Sequence, residues 1–288
     1  MKMKTLSKFF IIFGIILLFI TIYSFILSIN KNQIPPIYED ENIISNELSN
    51  NKNYIKEEFS IEIASIDTLE NFKQVINNEI NEKNLSGIDI PILIDDYVRK
   101  KFKHGTPTYY WFDNWFLGLL DLILPNYHFL TLMKPKDLIK VHYAMCSQQS
   151  IIFQEIIKDY NFEFGSLKIN NMNFGHFVSA VKINDKWYIF DPNMEPVYNR
   201  KNPEIFNDIM SGNLSTLKKI YSKTNLNYIL KNLSEKDFNK DMVSLVDINK
   251  FPARNGVMVQ NLSKLISYLG WMFSFLIGFI FIYLLKKE

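Results

Sequence analysis

The chain has 288 residues, enough for one large domain or two small ones, with 32 basic and 30 acidic residues, a near-balance. No strong basic field marks a nucleic-acid surface, so nucleic acid is not expected among the partners. The high apolar content is concentrated at the two ends.

Phe9 to Ile29 is an apolar run of 21 residues, relieved only by glycine, threonine, serine and one tyrosine. Leu265 to Leu285 is a second run of 21. Each meets the roughly 20 residues that a bilayer-spanning helix needs. Lys2, Lys4 and Lys8 sit at the start of the first run, and Lys286 and Lys287 follow the second. By the positive-inside rule both termini are expected in the cytoplasm and the stretch between the runs outside it. Setting aside those five lysines and Glu288 leaves 27 basic against 29 acidic residues between the anchors. Trp271, Tyr268 and Tyr283 suit interfacial positions. The first run also reads as a cleavable signal peptide, basic and then apolar, although it is long for one and no small-x-small site follows. The expected division is an anchor over 1–29, a linker over 30–63 carrying Pro35-Pro36, a main domain over 64–264, and a second spanning helix with a basic tail over 265–288.

Within the main domain the apolar spacing of Ile66, Leu69, Phe72, Val75, Ile76 and Ile80 predicts a helix over 64–83. A second is expected from Pro91 to Phe102, with proline at the first helical position. An aromatic stretch, Tyr109-Tyr110-Trp111-Phe112-Asp113-Asn114-Trp115-Phe116, continues to Leu124-Pro125. It is too short for a span and reads either as a core or cleft-wall segment or as an element lying on the bilayer.

A helix is expected from Cys146 to Tyr160, with Ile151, Ile152 and Ile156 on an apolar side and Glu155 and Asp159 on a charged one. Strands are expected at Phe164–Ile169, Phe177–Ile183 and Lys186–Phe190, with Asn184-Asp185 as a two-residue turn. Two or three short helices over 203–235 and a strand over Met242–Ile248 complete the chain. Helices followed by strands, without βαβ alternation, give an α+β class. No repeat at a period of 20–50 residues is present.

Cys146 is the only cysteine, so an internal disulfide is excluded and the residue is either a buried filler or a free thiol with a task. His176 lies 30 residues beyond it and Asp191 a further 15. A hairpin closed by Asn184-Asp185 pairs positions whose numbers sum to 369, which sets Asp191 opposite Val178. Strand side chains alternate, so His176 shares a face with Val178 and becomes a diagonal neighbour of Asp191, within side-chain reach. A carboxylate there fixes the imidazole tautomer and frees the second ring nitrogen for the thiol. A helix start and a nearby imidazolium both favour a thiolate, and helix-start amides can hold an oxyanion. A thiol, an imidazole and a carboxylate make up a nucleophile with its base and orienting group. Taken singly, His176 also reads as a satisfied strand-end histidine and Asp191-Pro192 as a turn.

These residues resemble the transglutaminase-like superfamily, relatives of the papain-type cysteine proteases. The resemblance is carried by Cys146 at a helix start, by Gly175-His176-Phe177-Val178, and by Asp185-Lys186-Trp187-Tyr188-Ile189-Phe190-Asp191-Pro192, over roughly residues 90–195. It implies a papain-like α+β core, a helix packed on an antiparallel sheet, here flanked by two transmembrane helices in a membrane-anchored bacterial member. It implies Cys146 as nucleophile, His176 as base and acid, Asp191 as orienting group, and acyl transfer through a thioester, to water in amide or peptide hydrolysis or to an amine in cross-linking or amide exchange, with no cofactor. The implied partners are the lipid bilayer and a protein, peptide or cell-envelope substrate; a catalytically inactive binding or scaffold module is the alternative. Ala144-Met145-Cys146 and Phe177 depart from the family pattern, where glycine two before the cysteine and alanine after the histidine are common. Trp111 and Trp115 are candidates for the upstream tryptophan that animal transglutaminases use at the oxyanion, and His142 for a cleft residue. His104, His128 and His142 are too scattered to mark a zinc site.

Overall fold

The computed structural model describes residues 2–30, 37–38, 59–171, 174–193 and 243–286. Most of the linker expected over 30–63, and the helices expected over 203–235, lie outside these residues. In chain order the helices and strands are α1 (Lys2–Asn30), β1 (Ile37–Tyr38), α2 (Ile61–Ala64), α3 (Leu69–Glu82), α4 (Asp89–Lys101), β2 (Thr106–Pro107), α5 (Trp115–Ile123), α6 (Pro135–Leu138), α7 (Cys146–Ile157), β3 (Glu163–Asn171), β4 (Phe174–Ile183), β5 (Lys186–Phe190), β6 (Val243–Val246) and α8 (Arg254–Leu285). They fall into two compact units.

The first unit gathers α1, residues Thr108–Thr131 and α8. Both long helices have the length and apolarity to cross a membrane. They run antiparallel, and their contact face is built from small residues. Ser7 Oγ donates to Gly278 O (3.2 Å), Ser274 Oγ to Phe10 O (2.8 Å) and Thr21 Oγ1 to Ser267 O (2.9 Å). The buried positions of α8 are Gln260, Ser263, Ser267, Ser274 and Gly278, a single helical stripe. Small side chains let apolar helices approach closely where lipid supplies no hydrophobic drive, and hydroxyls bond across the gap. A Cβ on Gly278 would stand 2.9 Å from Ile11 Cγ1. Helix α8 begins eleven residues before the apolar run, at Arg254. Those extra turns carry Gln260 and Ser263, which hold the aromatic stretch 109–127: Asn114 Nδ2 donates to Gln260 O (3.2 Å) and Ser263 Oγ (2.8 Å).

The second unit is the α+β body. The helix expected over 64–83 is α3 and starts five residues later, at Leu69, and a separate short helix, α2, precedes it at Ile61–Ala64, because two hydroxyl caps start two helices. Ser60 Oγ accepts from Ile63 N–H (3.4 Å) and Thr68 Oγ1 from Asn71 N–H (3.2 Å). Helix α3 buries Phe72, Ile76 and Ile80, one face at helical spacing. Helix α4 starts at Asp89, so Pro91 occupies its third position and not the first; first-turn amides have no intrahelical partner, so the missing N–H is tolerated there too. The sheet runs β5-β4-β3-β6, all antiparallel.

Helix α7 packs on this sheet and is buried on nearly every side, with only Glu155 of its latter half meeting charged neighbours: Lys158 at 2.5 Å and Lys73 at 3.6 Å. Phe153 stacks on Phe190, ring centroids 5.3 Å apart. Its glutamines, which resemble surface residues in the sequence, are inside. Gln154 Nε2 donates to Gly165 O, Ser166 Oγ and Ser179 Oγ (3.3, 3.1 and 3.2 Å), tying α7 to β3 and β4. Ser150 Oγ donates to Phe177 O (3.1 Å).

Candidate active site

The site begins with a turn. Asn184 and Asp185 both have positive φ (49° and 62°), as both central residues of a type I′ hairpin turn require, and both types tolerate it. The turn sets β4 against β5 in the register Ile183↔Lys186 through Ser179↔Phe190. Every pair sums to 369, as the sequence implies. Asp191 therefore leaves β5 one residue past the last pair, on the same face as His176.

His176 Nε2 and Asp191 Oδ2 are 2.6 Å apart, and both side chains are 1 % exposed. That strand position is central: β4 is paired with β3 on its other side, with Ile169↔His176 in register. Asp191 Oδ1 accepts from Asn193 N–H (3.2 Å), so both carboxylate oxygens are engaged. With Nε2 committed to Asp191, Nδ1 is the ring nitrogen left for a thiol.

Cys146 is the first residue of α7 and is buried. Ser150, one turn further on, is tethered to Phe177, the neighbour of His176, so the start of α7 lies over the histidine's strand. Burial pulls the imidazole down, but the Asp191 charge and hydrogen bond, with Cys146 acting in the same direction, outweigh it and raise His176 to about 10. The approach to Cys146 is fixed from behind: Ala144 N–H donates to Lys103 O (2.9 Å) and Lys103 N–H to His142 O (2.8 Å). Met145 N–H is held by Gln148 Oε1 (2.9 Å), the third residue of the helix reaching back to its cap.

A second layer lies beneath Asp191. Arg99 Nη2 donates to the Asp191 carbonyl (3.5 Å), and Asp95 stands one turn before it on α4. Asp95 and Arg99 are buried. Burial pushes the Asp95 carboxyl up to about 8, with Asp191 and Asp96 pushing the same way and Arg99 opposing them. His104 Nδ1 meets the Asn193 side-chain amide (3.1–3.2 Å), which pins the residues after Asp191 to the segment beside Ala144. The sequence reading missed Asp95, Arg99, His104 and Asn193. The i,i+4 spacing of Asp95 and Arg99 is visible on a helix, but such pairs are ordinarily solvated surface pairs.

The other candidate residues make contacts of their own. Trp115 Nε1 donates to Ser267 O (2.7 Å) and Trp111 packs near Tyr23 (centroids 6.4 Å), both within the long-helix unit. His142 belongs to a cluster with Phe59, Ala64 and the buried Lys101, whose ammonium bonds Ala64 O and Ile66 O (2.5 and 2.7 Å). Burial and the Lys101 charge hold His142 below its ordinary range. Among the described residues no group of three His, Cys, Asp or Glu side chains is arranged to hold a metal ion.

A family model described as a transglutaminase-like domain matches residues 45–206, more than half of the chain, and spans all three residues of this constellation. The chain belongs to the transglutaminase-like family. No curated protein and no solved structure gives a match. The observed α+β body, a buried helix on an antiparallel sheet, is the architecture that membership implies.

Proposed function

We propose that this transglutaminase-like protein is a membrane-anchored thiol enzyme that transfers or hydrolyses an acyl group on an extracytoplasmic protein, peptide or envelope substrate. The observation that carries the reading is the buried His176–Asp191 hydrogen bond beneath a cysteine at a helix start. Cys146 is the nucleophile. Its thiolate attacks the carbonyl carbon of an amide, and the first-turn amides of α7 face the developing oxyanion. The C–N bond breaks as His176 gives its proton to the departing nitrogen, leaving a thioester on Cys146. Water or an amine then attacks the thioester, His176 takes the proton of the incoming group, and the thiolate is released. Asp191 keeps the ring in one tautomer and stabilises its charged form, a role favoured by the hydrogen bond its Oδ1 accepts from Asn193 N–H.

The flanking lysines support an orientation with both termini in the cytoplasm and the α+β body outside. Alkaline phosphatase fused after residue 60 is expected to be active; activity only of a cytoplasmic reporter at that point contradicts the placement.

The activity is tested by incubating the full chain in detergent micelles with glutamine-containing and amide-capped peptides, with and without a primary amine. Mass spectrometry should find an acyl adduct on Cys146 and ammonia or amine release, both absent in Cys146→Ala. Equal product from Cys146→Ala, or a scaffold function in cells that survives this substitution, argues against an enzyme.

A further inference from the structure

The aromatic stretch 109–127 is not absorbed by the chemistry above. It contains no lysine or arginine, and its centre is the nine-residue helix α5. One side of α5 is fastened to α8. Asn114 caps it by accepting from Leu117 N–H (3.3 Å), Phe116 N–H donates to Ser267 Oγ (3.1 Å), and Leu117 is buried. Its one acidic side chain, Asp121, is turned back to accept from Phe129 N–H (2.7 Å). The other side is apolar and bare. Leu119, Leu122 and Ile123, at i, i+3 and i+4, are 47 %, 79 % and 62 % exposed, and Leu124 and Tyr127 continue the patch.

The level of attachment decides what covers this face. Helix α5 meets α8 at Gln260–Ser267. Ser267 lies nineteen residues before Lys286, or ~28 Å along the helix at 1.5 Å per residue, close to the ~30 Å depth of the hydrocarbon layer. Helix α5 itself is ~14 Å long and cannot cross. It is fixed toward the end of the spans away from the terminal lysines, at the level of Thr21 on α1, with Ile22–Ile29 of the first apolar run extending beyond it. Trp111 and Tyr127, both exposed, are of the residue types that occupy the membrane–water interface.

We propose that residues 109–127 form a third membrane element, an interfacial helix whose Leu119–Leu122–Ile123 face lies in lipid while Asn114 and Trp115 clamp it to α8. This rests on α1 and α8 being membrane spans. The patch then faces the same lipid as the exposed apolar residues of those spans, such as Phe273 and Leu276.

The test uses the full chain with its lone cysteine changed to serine and one new cysteine at a time, spin-labelled and reconstituted in phosphatidylcholine–phosphatidylglycerol vesicles. Positions are Leu122 and Ile123 on the patch, Phe273 on the span and Asp185 at the hairpin tip. Collision with oxygen, which concentrates in lipid, is compared with collision with a water-soluble nickel chelate. Leu122→Cys and Ile123→Cys should show an oxygen-to-nickel ratio several-fold above Asp185→Cys and approaching Phe273→Cys. A ratio like that of Asp185→Cys, with Phe273→Cys still in lipid, overturns the proposal alone. Protection from both reagents also overturns it, since the face is then covered by protein. A nickel-accessible Phe273→Cys removes the membrane reading and the proposal together.

Discussion

Asp191→Asn keeps the shape of the side chain and removes its charge, which makes it a clean probe of the imidazole. His176 is raised from 6.5 to about 10 although burial works against it, and the Asp191 charge is the largest of the raising influences. At 1.36 kcal/mol per tenfold, that rise corresponds to ~5 kcal/mol in favour of the protonated ring. A single adjacent opposite charge moves a titration by about 1–3 pH units, so the substitution should lower the His176 midpoint by about that much. The sign for stability follows from the direction. A group whose folded value lies above its unfolded one stabilises fully below 6.5 and loses that stabilisation as pH rises through about 10. The wild-type protein in detergent should therefore lose up to ~5 kcal/mol from this group between those limits, and Asp191→Asn should show a shallower decline. The assay is NMR titration of ring-labelled histidine, with His176 assigned by substitution, together with unfolding midpoints across the same pH range. An unchanged His176 midpoint in Asp191→Asn refutes the coupling.

Other consequences are more local. Gln154→Leu leaves Ser166 and Ser179 without their buried donor and should cost about 1–3 kcal/mol, read from the unfolding midpoint in detergent. A near-neutral result would mean the α7–sheet bonds carry little. Gly278→Leu drives a side chain into Ile11 and the backbone of Ser7 and should weaken the α1–α8 pair by about 1–3 kcal/mol, seen as a lower sodium dodecyl sulfate midpoint. Arg99→Met leaves the Asp191 carbonyl without its guanidinium donor and removes the charge that opposes the rise of Asp95; the fold should lose about 1–3 kcal/mol, and adding Asp95→Asn should cost less than the two single changes summed. An additive double mutant contradicts that pairing.

The hairpin was legible in the sequence because its turn is chemically explicit. Asn184-Asp185 is one of the few dipeptides that accept positive φ at both central positions, and once the turn is fixed the period-two alternation of strands carries the register out to Asp191. The two long helices were legible by composition alone. The break between α2 and α3 was hidden because apolar spacing runs through it, while two hydroxyl caps override the period. The buried glutamines of α7, and Asp95 with Arg99 on α4, were not legible. Each is a surface residue type whose inside position depends on partners far along the chain, such as Ser166 and Asp191. Trp115 drew attention by its type, and its indole N–H is committed to Ser267, 152 residues away.

The most direct measurement is the second-order rate at which iodoacetamide alkylates Cys146 near pH 7 in the intact chain, compared across wild type, His176→Ala and Asp191→Ala. The sulphur should react fast in the wild type, with a clear drop when the imidazole is removed and a smaller one when the carboxylate is. Slow alkylation that neither substitution changes would show that Cys146 is only a packed side chain.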